Sequence, residues 1–151
     1  MSKTIKTSNA NLLEDAPFSS LSSSATAAAS TISVYSITGF AISKTLLIGE
    51  FGTEGSESIA THGSTAPSGT TVTLASNLVK SHPKDTKVYV LPYNYVQFFR
   101  ATTTTGTKTQ LGSDVSIAAE SVETIYTDTT NSTGYAFTRF YDSLGNTYSD
   151  D

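Results

Sequence analysis

Thr86-Lys87-Val88-Tyr89-Val90-Leu91-Pro92-Tyr93-Asn94-Tyr95-Val96-Gln97-Phe98-Phe99-Arg100-Ala101 is the stretch on which the reading of the fold turns. Thr86 to Leu91 is a short run rich in β-branched and aromatic residues, which predicts a strand, and Tyr95 to Ala101 predicts another. Proline cannot donate to a ladder and sits best at a strand end, so Pro92 marks a boundary between two groups of strands. Upstream, Thr31-Ile32-Ser33-Val34-Tyr35 and Thr70-Thr71-Val72-Thr73-Leu74 alternate with period two, Thr45-Leu46-Leu47-Ile48 is a short apolar run, and Ser56 to Thr61 reads as a further strand. Gly39, Gly49, Gly52, Gly55, Gly63 and Pro67-Ser68-Gly69 supply turn chemistry between them. Strands at this spacing predict a small barrel or a strongly bent sheet. Downstream, Thr107 to Leu111, Thr124 to Thr127, Tyr135 to Tyr141 and a last strand near Thr147-Tyr148-Ser149 predict an antiparallel sheet, with a hairpin turn at Asp142 to Asn146. Val115 to Val122 is the one place that reads as a single helical turn.

Residues 1–28 differ from the rest. Ser19, Ser20, Ser22, Ser23 and Ser24 lead into a run of alanines, and the sizeable apolar groups are Ile5, Leu12, Leu13, Phe18 and Leu21. Ordering a backbone costs about 1–2 kcal/mol per residue, which so few anchors do not offset alone. Alone the segment is expected to be disordered: it reads either as a floppy terminus or as an extended N-terminal arm, with Leu12, Leu13, Phe18 and Leu21 as partner-binding anchors on a neighbouring subunit. The expected organisation is an arm over 1–28, a small β-barrel-like module over 29–92 and an antiparallel sheet over 93–151.

Composition narrows the function. Of 151 residues, 26 are Thr and 23 are Ser, and only 15% are charged. That excludes a long-helix protein and fits strands, turns and loops. Nine basic against thirteen acidic residues give a net charge of −4, without the cationic stripe that nucleic acid or an anionic membrane needs. The absence of cysteine removes disulfides, Cys-ligated metals and thiol chemistry. No segment approaches the roughly 20 apolar residues of a membrane-spanning helix. A chain made in the cytoplasm is expected.

Candidate chemistry is sparse. Glu50, Glu54, Glu57 and His62 fall close together in a Gly-rich region, but their spacing matches no ligand motif and reads as solvated hairpin loops. His62 and His82 stand twenty positions apart, a poor base for a zinc site or a triad. No nucleophile elbow, P-loop or dinucleotide fingerprint is present. Asn131-Ser132-Thr133 is formally a glycosylation acceptor and reads as a loop. Tyr89, Tyr93, Tyr95, Phe98, Phe99, Tyr135, Phe137, Phe140 and Tyr141 crowd the second half. Exposed on one face they suit sugar stacking; on alternate strand positions they fill a core. Neither a catalytic residue, a cofactor nor a metal is expected.

The run Tyr95 to Thr102, then Thr124-Ile125-Tyr126-Thr127-Asp128, then Tyr135-Ala136-Phe137-Thr138-Arg139-Phe140-Tyr141-Asp142-Ser143, resembles the later strands of a fibronectin type III domain, without the first two. The resemblance implies a partial immunoglobulin-like sandwich completed by the first half or by another subunit. The first half, with Thr38-Gly39-Phe40, Leu47-Ile48-Gly49-Glu50-Phe51-Gly52 and Gly69-Thr70-Thr71-Val72-Thr73-Leu74, resembles a β module of tailed-bacteriophage virion proteins. Together they imply an all-β, non-enzymatic virion structural protein, a head-decoration, auxiliary capsid or neck component. Its expected partners are other virion subunits and further copies of the chain, with no nucleic acid and no membrane. The alternative is a carbohydrate-binding or adhesin module whose ligand is a glycan.

Overall fold

A computed structural model describes residues 2–130 and 133–150, so Asn131 and Ser132 of the glycosylation triplet lie outside the described residues. The strands are β1 (Lys3–Ser8), β2 (Phe18–Ser20), β3 (Thr31–Ser33), β4 (Thr45–Ile48), β5 (Glu57–Ala60), β6 (Thr71–Thr73), β7 (Lys87–Leu91), β8 (Tyr95–Ala101), β9 (Thr109–Gln110), β10 (Val115–Ser116), β11 (Glu123–Asp128), β12 (Tyr135–Asp142) and β13 (Thr147–Tyr148). A 3-10 turn over Asn9–Leu13 follows β1. The fold is all-β and its ladders are antiparallel.

A four-stranded sheet in the order β2-β7-β4-β5 and the pair β3-β6 make the first unit. Isolated bridges Leu21↔Val34 and Thr61↔Leu74 join β2 to β3 and β5 to β6, closing the two sheets into a small barrel. Each seam is fastened by backbone bonds, Ser22 N–H to Ser33 O at 2.9 Å on one side and Ala75 N–H to Ala60 O at 2.8 Å on the other. Leu21, Ile32, Val34, Leu46, Ile48, Val72 and Val88 fill the interior with almost no exposure. Burying each such side chain stabilises the fold by roughly 1.5–3 kcal/mol. The β4–β5 hairpin turns at Gly49 (φ 102°), where a Cβ would sit 2.3 Å from Ser56 Oγ. That hydroxyl accepts from Glu50 N–H and donates to Glu50 O, so the turn needs glycine.

β4 explains why its sequence shows no alternation. All four of its residues are buried. Leu46 and Ile48 enter the barrel, whereas Leu47 joins Leu91, Val96, Phe98, Ile117, Ala119 and Leu12 in a second core. One sheet therefore has an apolar cluster on each face.

Beyond that second core lies the sheet β10-β8-β12-β13, with β9 also on β8. β8 and β12 pair from Ala101↔Tyr135 to Tyr95↔Tyr141. β1 and β11 form a separate two-stranded layer, and Phe98 stacks on Tyr126 across the gap at 5.6 Å, giving a sandwich-like second unit. One strand of that layer comes from the start of the sequence: β1 pairs with β11 from Lys3↔Asp128 to Ser8↔Glu123.

Two expectations are corrected here. Residues 2–28 are not left as a free arm: β1 completes the second unit, β2 and Leu21 belong to the barrel, and Ala25 bridges His82. The burial does not come from local apolar groups alone: β1 pairs with residues 123–128, β2 with residues 87–89, Ala25 with His82 and Leu21 with Val34. Val115–Val122 forms no helical turn, because Val115 and Ser116 pair with Val96 and Tyr95 while Ile117 and Ala119 point inward at a spacing of two.

Candidate functional site

Strand alternation divides the aromatic residues. Val96 and Phe98 point into the second core, so Tyr95, Gln97, Phe99 and Ala101 share the opposite face. The register places Tyr141, Arg139, Phe137 and Tyr135 directly beside them, and Tyr148 of β13 beside Tyr141. The aromatics thus divide between the two faces of the sheet. Phe98, Phe140 and Tyr93 serve the core, while Tyr95, Phe99, Tyr135, Phe137 and Tyr141 lie on the outer face.

That face is knit by polar and cationic contacts. Arg139 donates from Nε and Nη2 to Gln97 Oε1 at 3.2 and 2.7 Å, and Gln97 and Gln110 both donate to Asp114 Oδ1. The Arg139 guanidinium lies 4.2 Å from the centre of the Tyr148 ring and 5.0 Å from that of Phe99. Tyr148 stacks on Tyr141 at 4.7 Å, Tyr141 leans on Tyr95, and Lys108 sits over Phe137. Desolvation among these rings raises the Tyr141 phenol above its ordinary value, helped by Tyr148 and by the nearby carboxylates Asp114 and Asp142. The phenol stays protonated and is a donor at neutral pH. Because a cation or a second ring lies over Phe99, Phe137, Tyr141 and Tyr148, those rings have less face left for stacking on a sugar. Tyr135, 52% exposed, is the member most open to solvent.

The expected anchors separate. Leu12 is buried in the second core and Leu21 in the barrel, so both are packed inside the fold rather than exposed on its surface. Leu13 is half-buried and lines a groove of about 250 Å³ with Ala10, Phe51, Tyr89 and Val122. Phe18, 63% exposed, rests its ring 5.7 Å from that of Tyr89. Leu13 and Phe18 therefore border the same outward patch.

The acidic cluster does not converge. Glu50 lies 3.6 Å from Lys87, Glu54 is exposed, and His62 Nδ1 accepts from the Ser64 and Thr65 amides. Tyr89 and then Glu50 raise the Lys87 ammonium above its usual value. Glu57 is buried and meets His82 Nε2 at 2.9 Å, its other oxygen accepting from Val79 N–H. Among the described residues no group of three or more His, Cys, Asp or Glu could hold a metal. A second buried pair, Arg100–Asp128 at 2.6 Å, ties β8 to the end of β11. Lys80 and the Gly55 amide both bond Glu120 Oε1, joining the barrel's hairpin tip to the second unit. Those bonds, Lys80 first, hold the Glu120 carboxyl below its usual range.

No family model, curated protein or solved structure matches the chain. Sequence reasoning singled out the β12 aromatics but passed over Arg139, Gln97, Asp114 and Tyr148. The signal for Arg139 was present in Tyr135-Ala136-Phe137-Thr138-Arg139-Phe140-Tyr141, where it occupies a position of the outward period.

Proposed function

We propose that this chain is a non-enzymatic structural subunit of a tailed-bacteriophage particle, made in the host cytoplasm and incorporated as a head-decoration or neck component that binds other virion subunits. The observation that carries the reading is an outward aromatic and cationic face on a body whose two units share one doubly buried sheet. Shared burial makes that body stiff, and a stiff body loses little conformational entropy when it docks. The buried contacts Glu57–His82 and Arg100–Asp128 each tie separate parts of the chain together, so these side chains serve the fold. The particle assignment is supported by the resemblance of the two halves, in this order, to phage β modules followed by a type III-like segment.

Density-gradient purification of particles from a phage carrying the gene tests this. The chain is expected in them at fixed copy number, and Arg139→Ala with Tyr148→Ala is expected to lower incorporation about tenfold while leaving a folded body, the effect of losing one interface hot spot. Particles that lack the chain overturn the reading. A carbohydrate-binding or adhesin role is the second reading, favoured by the exposure of Tyr135 at the end of the row. Affinity electrophoresis through gels containing host polysaccharides decides it: retardation abolished by Tyr135→Ala, with incorporation unchanged, would put the glycan first.

A further inference from the structure

Residues 2–13 have an unusual relation to the rest of the chain. Among the described residues the ladder partner of β1 is β11, and the turn that follows plants two side chains in the second unit. Asn9 is fully buried: its Nδ2 donates to Ser121 O at 2.8 Å, its Oδ1 accepts from Thr124 Oγ1 at 2.7 Å, and its N–H donates to Val122 O at 2.9 Å. Leu12 enters the core beside Leu47 and Leu91. Lys6 adds an ion pair with Glu123 at 2.7 Å.

The connection back to the body is thin by contrast. Glu14, Asp15 and Pro17 are exposed, and Glu14–Pro17 carry no strand. Body pairing resumes only at Pro17, whose carbonyl accepts from Val90 N–H at 2.8 Å. The barrel closes entirely with residues after that point. Residues 2–13 are thus a compact insert with its own ladder, its own buried polar clamp and its own apolar anchor, held to the rest by a short exposed tether. Every contact it makes is available equally on an identical chain.

We propose that residues 2–13 are an exchangeable plug, passed between neighbouring copies of this chain so that β1 of one completes the second unit of the next. Exchange of an identical element creates a dimer or a string at low cost, since the same contacts form in either arrangement. The Glu14–Pro17 tether, spanning at most roughly 14 Å when extended, is the hinge, and its limited reach holds exchanging copies side by side. The proposal does not rest on the particle reading, since it concerns contacts between copies alone.

Cysteine pairing tests it cleanly because the chain has no cysteine of its own. Thr4 and Thr127 are directly opposite in the β1–β11 register and both exposed. Opposed Cα atoms in antiparallel strands lie about 4.5–5.5 Å apart, within reach of a disulfide. Full-length Thr4→Cys and Thr127→Cys chains are mixed, concentrated, oxidised mildly and resolved on non-reducing gels, with mass tags distinguishing the two. Exchange gives a mixed disulfide at least tenfold above the two self-paired dimers, which measure random collision. A double variant of one chain, held dilute, is the control and closes within itself. If the mixed product stays at the collision level while the control closes, each chain keeps its own plug and the proposal falls; if the control fails to close, the β1–β11 pairing falls and the proposal with it.

Discussion

The barrel and the sandwich-like unit handle exposed strand edges in different ways. The barrel's strands are three to five residues long and aliphatic inside, and two single bridges consume the edges that would otherwise lie open. Closure lets such short strands persist. In the second unit β8 and β12 run for seven and eight residues, the sheet stays open, and β13 at its edge is only two residues long. There the outer face is secured by Tyr148 stacked between Tyr141 and Arg139, and the inner layer by a strand from the far end of the chain. A closed unit satisfies its own hydrogen bonds; an open one depends on side-chain ladders and remote strands, and it is there that surface remains for a partner.

The strongest way to break this contrast is through the sheet the units share. Leu47→Ala, made on the barrel's own strand but facing the second core, should cost about 2–5 kcal/mol and leave a single urea transition seen alike by Tyr fluorescence and far-UV circular dichroism. Two separated transitions would show that the units fold independently. Asn9→Ala should cost less, about 1–3 kcal/mol, because it strands the Thr124 hydroxyl and the Ser121 carbonyl in a buried site. Its effect is expected in one unit: faster amide hydrogen exchange along β11, with barrel amides unchanged. Glu120→Gln is the gentlest probe. The Glu120 carboxyl is held below its ordinary value near 4.5 in the folded chain, so its contribution is present above that value and fades as pH falls through the lowered one. The melting-temperature gap between native and Glu120→Gln chains should therefore be small at neutral pH and vanish in acid.

Much of the strand pattern was legible. Thr45–Ile48 and Tyr95–Ala101 fall at the residues their apolar and aromatic runs indicate, and Pro92 directly follows the last ladder residue of β7. Residues 1–28 misled because their partners are remote. Lys3–Ser8 has only Ile5 as an apolar group, and nothing local announces Glu123–Asp128 as its mate. The burial of Leu12 and Leu21 was invisible for a related reason: Leu12 joins a core whose other buried residues begin at Leu47, and Leu21 one that runs from Ala25 to Val90. Val115–Val122 misled differently, since apolar residues at 115, 117, 119 and 122 fit a helical turn and a bent strand alike, and pairing with β8 decides between them. On the outer face the aromatic alternation was readable. The contacts of Arg139 with Gln97 and Tyr148 depend on cross-strand register, which a single strand's sequence does not carry.

The pairing of Lys3–Ser8 with Glu123–Asp128 also has a consequence for synthesis. β1 leaves the ribosome well before β11 and waits for a partner more than a hundred residues behind it. At roughly 5–20 residues per second, that delay is on the order of ten seconds. The barrel residues emerge and can close during the wait. On a polysome, a nascent chain thus carries an unpaired β1 while chains further along have already released their β11, the circumstance in which the proposed exchange has most opportunity.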